Sequence, residues 1–194
     1  MKSEVRCFFA LWPEQDLAHE LYALGATIAG RRMREETLHL TLAFLGNVES
    51  RRIGELCHLA ANLSLPAIDL TIDRLGCWEH SGVCWAGPTG LPTPFLAFID
   101  TLHAQLRAAG FALEEREFAA HISLLRNIGK LTCRNGKDPL RKRAACSPLA
   151  SSLVWPLRAW RLVASLPDGT GRRYEILGEW SALRRDPYSP ELDE

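Results

Sequence analysis

Two four-residue stretches decide the reading of this chain: His39-Leu40-Thr41-Leu42, within LHLTLAFL (residues 38–45), and His121-Ile122-Ser123-Leu124, within the run from Phe118 to Leu125. Each reads His, apolar, hydroxyl, apolar. Alternation of this kind marks a half-buried β-strand, and in a strand residues i and i+2 share a face. His39 and Thr41 therefore project together while Leu40 and Leu42 anchor the opposite face in a core. His121 with Ser123, over Ile122 and Leu124, repeats the arrangement. A given His meets this pattern by chance at roughly 0.02, so two such matches arise by accident in about one sequence per hundred. His19, His58, His80 and His103 do not fit it.

The two units make chemical sense as a pair. If an approximate two-fold axis relates them, two imidazoles and two hydroxyls meet in one cleft. Histidine accepts or donates a proton near neutral pH. One on each side of a reacting atom suits an in-line displacement, with one activating the incoming oxygen and the other protonating the departing one. The hydroxyls, with backbone N–H groups, can hold non-bridging phosphoryl oxygens as charge builds up. This scheme needs no metal.

Outward from the motifs, Val5 to Leu11 is a compact β-type run. Pro13 opens a helix that carries Leu17, Leu21, Leu24 and Ile28 at helical spacing through Ala29. Arg31, Arg32 and Arg34 follow as a polar connection, and Gly46-Asn47 ends the first motif strand as a turn. Ser50 is expected to N-cap a second helix with Ile53, Leu56, Ala60 and Leu63 inside. Pro66 to Leu75 and Val83 to Gly87 read as strands. Thr93-Pro94 begins a third helix, with Phe95, Phe98, Leu102 and Leu106 inside and Gly110 as its stop. Residues 129–150 read as an irregular basic connection. Two closing strands, Leu157 to Leu166 and Arg172 to Leu177, flank the turn at 167–171. Hairpin-like neighbours beside βα units favour α+β: a bilobal fold of two pseudo-symmetric, mainly antiparallel sheets, helices outside, and a central cleft. Residues 1–184 are expected to form one such domain and 185–194 a mobile tail.

Composition bounds the function. The chain has 194 residues, 47% apolar and 24% charged, with 23 basic and 23 acidic side chains. That balance fits an ordinary globular protein and speaks against a dedicated duplex-DNA binder, which relies on cationic excess. The longest uncharged apolar run, LTLAFLG, is far short of the ~20 residues that span a bilayer. Glu4, Arg6, Glu14 and Asp16 do not suit a signal peptide, and a cytoplasmic protein is expected. Cys7, Cys57, Cys77, Cys84, Cys133 and Cys146 include no C-x-x-C pair and read as buried free thiols. Neither a phosphate-binding G-x-x-x-x-G-K-[ST] nor a G-x-G-x-x-G occurs.

HLTLAFLG and HISLLRN resemble the twin H-x-[ST]-apolar motifs of the 2H phosphoesterase superfamily, most closely its RNA 2′,3′-cyclic phosphodiesterase (2′-5′ RNA ligase) branch. The opening RCFFALWPE, the WAGP after Cys84 and the closing LVASLPDGTGRRYEILGEW, with Ser165 and Tyr174, are similar as well. The resemblance implies a metal- and cofactor-free enzyme that hydrolyses a terminal 2′,3′-cyclic phosphate to a 2′-phosphate. On the matching positions, His39 would be the proton donor to the leaving 3′ oxygen and His121 the acceptor that activates water. Thr41 and Ser123 would bind phosphate oxygens, and the reverse reaction would join RNA ends in a 2′-5′ bond. The family usually has Pro before the second His, where this chain has Ala120, and the second hydroxyl is Ser rather than the commoner Thr.

Other residues keep two readings each. Arg126 could reach phosphate or ribose, or be a solvated strand-end charge. Arg31, Arg32 and Arg34 and the run Arg141-Lys142-Arg143 could track RNA backbone, although solvated surface is the commoner fate. Trp160 and Trp180 are expected in the core, while Trp78 and Trp85 could stack on bases. The Cys77, His80 and Cys84 spacing is unusual for zinc, and no metal is expected. The partner is RNA with a 2′,3′-cyclic phosphate end or a small cyclic nucleotide, with no membrane, no obligate protein partner and a monomeric chain. A non-catalytic RNA-end binder is the rival from another class, but it could grip phosphate with arginines alone.

Overall fold

A computed structural model of the chain describes residues 3–28, 30–78, 80–115, 117–127, 145–169 and 171–183. Its first strand, β1 (Glu4–Leu11), alternates as its sequence does. Cys7, Phe9 and Leu11 enter the main core, whereas Phe8 and Ala10 join Val163 in a smaller cluster on the opposite face. Helix α1 (Gln15–Leu24) is shorter than its apolar spacing suggested, because the chain tightens into a 3₁₀ turn at Gly25–Thr27. Arg31 and Arg32 are not a loose connection: they form a short strand, β2 (Arg31–Arg32), paired with Arg126 and Leu125.

Strand β3 (Leu40–Glu49) runs straight through Gly46-Asn47, where the sequence suggested a turn. Two register shifts against β1 absorb the irregularity, and Gly46 takes a left-handed φ of 66° there, which costs glycine little. A 3₁₀ turn at Ser50–Arg52 leads into α2 (Ile53–Ala61), and the Ser50 hydroxyl donates to the Ser3 carbonyl instead of capping the helix. β4 (Asp69–Trp78) and β5 (Val83–Gly87) form a hairpin. Helix α3 (Thr93–Ala108) buries Phe95, Phe98, Ile99, Leu102 and Leu106. Then come β6 (Ile122–Arg126), β7 (Ala145–Pro156), β8 (Ala159–Asp168) and β9 (Gly171–Ser181).

Strand β7 is a correction: part of 129–150 was expected to be irregular, and no strand was expected through Ser151–Pro156. β7 lies at the edge of the sheet, and Pro148 sits beside a register shift against β4, both settings that tolerate proline, so its sequence shows little alternation. The Arg141-Lys142-Arg143 run and the tail from 185 lie outside the described residues.

The strand order is β7-β4-β5-β6-β3-β1-β8-β9, with β2 beside β6, and the pairings are antiparallel. The order reads alike from its centre outward: β6, β5, β4, β7 on one side and β3, β1, β8, β9 on the other. The expected α+β class and the two related halves are therefore present, joined into one open sheet by a single register pair, Leu40 with Ile122. Residues of α1, α2 and α3 pack with Phe9, Leu40 and Ile122 in the main core, which leaves the other face of the seam open. Trp160 is fully buried and Trp180 packs against the core, as expected.

The cysteines need a second correction. Cys77 and Cys84 are joined by a disulfide because the β4–β5 hairpin sets them directly opposite one another, a register that their spacing alone did not reveal. Cys7 and Cys57 are free; Cys133 and the side chain of Cys146 lie outside the described residues. No helix among the described residues is long and apolar enough to cross a membrane.

Candidate active site

The seam between the halves builds the site. Leu40 and Ile122 face each other with no exposed surface, in the main core. His39 and Thr41 flank Leu40, and His121 and Ser123 flank Ile122, so this single pair brings the four together, and the charge of His121 is felt at His39. Strand pleating turns all four away from the core to the open face, and all four are half-buried. The two motifs thus meet tail to head at one place.

Each histidine is held the same way. His39 Nδ1 lies 2.7 Å from the Thr37 carbonyl and His121 Nδ1 lies 2.8 Å from the Ala119 carbonyl. A carbonyl only accepts, so Nδ1 carries the proton and donates in both rings. Nε2 is then the atom left to take up or release a proton. Two residues before each histidine, the backbone fixes both tautomer and ring plane.

The surroundings differ between the halves. Around His39, Trp12 stacks at 4.8 Å between ring centroids, Phe8 lies at 4.9 Å and Tyr174 meets it edge-on at 5.2 Å. The Trp12 indole donates to the Glu36 carbonyl at 3.1 Å, which fixes that wall. Around His121, Trp78 is edge-on at 4.5 Å and Trp85 lies at 6.5 Å. Gly76 makes this second wall possible, because a Cβ there would sit 2.2 Å from the Trp85 ring. Trp78 and Trp85, read from sequence as possible base platforms, are therefore neighbours of a catalytic candidate.

Burial pushes the His39 imidazole down to about 4; the Thr37 carbonyl pulls the other way, while the charges of His121 and Arg126 push it lower still. In the free protein His39 is neutral at neutral pH. Tyr174 is pushed up by burial, against the pull of Arg126, Arg172, Arg34 and Arg6. Arg126, exposed at the end of β6, thus has its charge felt by both His39 and Tyr174. Ser165 and Tyr174 pair across β8 and β9. The Arg172 guanidinium donates to the Ser165 hydroxyl at 2.7 Å and to its carbonyl at 2.6 Å.

The Arg31, Arg32 and Arg34 cluster is partly committed elsewhere. The Arg32 guanidinium lies 3.6 Å over the Tyr22 ring and donates to the Tyr22 carbonyl. Arg34 donates to the Arg172 carbonyl at 2.7 Å and pairs with Glu36 and Asp168. Phe8 and Trp12 were not singled out from the sequence. Their parity with Ala10, Phe8 within β1 and Trp12 just past its end, carried the signal, but that β1 lies beside β3 did not follow from it. Among the described residues no group of His, Cys, Asp or Glu is arranged to hold a metal ion, and the Cys77 and Cys84 sulfurs are bonded to each other.

Comparison with known proteins finds relatives that cover most of the chain. The model of LigT-like phosphoesterases matches residues 11–85. The RNA 2′,3′-cyclic phosphodiesterase of Escherichia coli K12 is 34% identical over 134 residues, 67% of this chain and 76% of that protein. A protein of the same name from Methanocaldococcus jannaschii is 24% identical over 151 residues, 76% of this chain and 82% of its own. The crystal structure of E. coli LigT complexed with 3′-AMP matches with a TM-score of 0.76 at 27% identity, covering 94% of this chain and 100% of that one. A crystal structure described only as a phosphoesterase matches at 0.78 and 28% identity, with the same coverage.

Proposed function

The chain belongs to the LigT-like phosphoesterase family, and on that premise we propose that it is an RNA 2′,3′-cyclic phosphodiesterase that opens the terminal ring to a 2′-phosphomonoester by metal-independent two-histidine catalysis. The observation that carries the reading is the pair of His–hydroxyl units at one seam, each imidazole anchored through Nδ1 with Nε2 left for proton transfer.

In this scheme the phosphorus lies between the two rings. His121 Nε2 takes a proton from water as the water oxygen bonds to phosphorus. The P–O3′ bond breaks, and His39 Nε2 delivers its proton to the departing 3′ oxygen, leaving a 3′-hydroxyl and a 2′-phosphate. The Thr41 and Ser123 hydroxyls, with Arg126, hold the non-bridging oxygens as they gain charge. His39 must arrive at this step protonated, although burial holds it at about 4 in the free protein. The anionic diester supplies the missing stabilisation, so substrate binding itself charges the acid. With a 5′-hydroxyl in place of water the same displacement gives a 2′-5′ linkage: His121 Nε2 takes the hydroxyl proton as its oxygen bonds to phosphorus, and His39 Nε2 protonates the departing 3′ oxygen.

The test is turnover of an oligoribonucleotide ending in a 2′,3′-cyclic phosphate, and of a cyclic mononucleotide, both in EDTA. The expected product is the 2′-monophosphate, with a bell-shaped pH profile. Turnover of the mononucleotide alone would move the substrate to small cyclic phosphates. Binding without turnover would leave an RNA-end-binding module, and activity abolished by EDTA and restored by Mn²⁺ would refute the metal-free scheme.

A further inference from the structure

Thr41 owes its direction to an irregularity in β3. Phe9 pairs with Ala43 and Ala10 with Thr41, so Leu42 has no residue opposite it in β1. Such an extra residue is a β-bulge, which bends the strand and re-aims the side chains beside it. Its effect here is a change of parity. His39 and Thr41 face the cleft, Leu40 and Leu42 face the core, and Ala43 and Leu45 also join the core instead of continuing the alternation. Phe44 in turn packs with Phe8 on the open side. A regular strand could not place His39, Thr41 and Phe44 on one face and Ala43 on the other.

A bulge interrupts the ladder, and the backbone groups of the extra residue then need partners from elsewhere. The partner of the Leu42 carbonyl comes from helix α3: His103 Nε2 lies 2.8 Å from that oxygen. The oxygen only accepts, so His103 Nε2 carries a proton and donates. The His103 ring is half-buried and meets Phe118 edge-on at 6.1 Å. α3 is itself anchored by Phe95, Phe98, Ile99, Leu102 and Leu106. The helix therefore offers a fixed donor to the residue that follows Thr41.

We propose that His103 is a positioning residue: its Nε2–H pins the Leu42 bulge and thereby holds the Thr41 hydroxyl, and with it the His39 strand, at the reacting phosphate. This rests on the proposed phosphodiesterase reading of the site. His103 acts only through the backbone of β3. Deleting the donor frees the bulge to rotate, so the cost should fall on the geometry of the transition state more than on folding or on substrate capture.

The experiment compares His103→Leu with His103→Gln, whose side-chain amide can present an N–H near the place of Nε2. kcat and KM are measured on the 2′,3′-cyclic-phosphate substrate, Tm by thermal melting, and inorganic phosphate affinity by titration. His103→Leu should lower kcat about tenfold with KM within about threefold of wild type, and weaken phosphate binding. His103→Gln should recover most of both at similar Tm. Wild-type-like kcat and phosphate affinity in a folded His103→Leu would overturn the inference while leaving the phosphodiesterase reading intact. Equal losses in the Leu and Gln variants, tracking Tm, would make His103 a packing residue and also overturn it. If His103→Leu does not fold, His103→Met, which also lacks the donor, takes its place with the same readings and the same deciding outcomes. A wild type that binds phosphate but turns over neither substrate would sink the proposed function. The phosphate titration would then still support the pin if affinity is lost in Leu and regained in Gln, and refute it otherwise.

Discussion

Adding an anion to the cleft should return to His39 the proton that burial takes away. In the free protein burial, reinforced by the charges of His121 and Arg126, holds the imidazole at about 4. A phosphate oxygen bonded to Nε2 places about one negative charge ~4 Å from the ring, and at an effective dielectric of ~20 the attraction is ~4 kcal/mol. At ~1.4 kcal/mol for each tenfold change, this is a ~10³-fold gain in proton affinity. The sign follows from the charge: an anion favours the imidazolium, so the group moves upward. The assay is an NMR pH titration of the imidazole Cε1–H resonances, with and without saturating adenosine 2′-monophosphate. His39→Gln identifies the His39 signal. A His39 midpoint in the ordinary histidine range in the free protein would refute the burial argument. One that ligand leaves unmoved would refute the claim that substrate charges the acid.

Other outcomes follow from the same geometry. His39→Ala and His121→Ala should each lower kcat/KM at least ~100-fold in steady-state assays, the scale of general acid–base groups. Thr41→Val and Ser123→Ala should each cost at least ~10-fold in kcat, through lost donors to the phosphoryl oxygens. Because His39 binds its proton more weakly folded than unfolded, its contribution to stability is present above 6.5 and is lost as pH falls from 6.5 through about 4. Over that window wild type should lose up to ~3 kcal/mol more than His39→Gln in denaturant melts. Gly76→Ala drives a Cβ to within 2.2 Å of the Trp85 ring. It should destabilise by ~1–3 kcal/mol, as overpacking does, and lower activity by displacing a neighbour of His121.

The centre of the site was legible because its two motifs alternate strictly, and strict alternation fixes which side chains share a face. Spacing puts His39 with Thr41 and His121 with Ser123, and the pairing of Leu40 with Ile122 then brings the two units together. What surrounds them depends on which strands lie side by side, and periodicity does not encode that. Phe8 on β1 and Trp12 just past its end share a parity, yet only the pairing of β1 with β3 brings them to His39. The Cys77–Cys84 bond likewise depends on hairpin register. Bulges are the other blind spot. Gly46-Asn47 looks like a turn in a linear reading, but in the sheet it is a strand that shifts register and continues. The edge strand β7 escaped because nothing at an edge demands a regular pattern from Pro148 or Ser151.

Both rings are tethered to the main chain by the same short loop of bonds, one on each side of the seam. A reaction centre assembled from two like devices has no front or back imprinted in its shape. In the proposed reaction, the imidazole that gives a proton on the forward path takes it on the return path, so the two exchange duties. Any bias must then come from the packing around each ring, which is three aromatic side chains crowding one and two beside the other. In the proposed phosphodiesterase, substitutions in those walls would shift which ring gives the proton and which takes it, with the paired tethers left as they are.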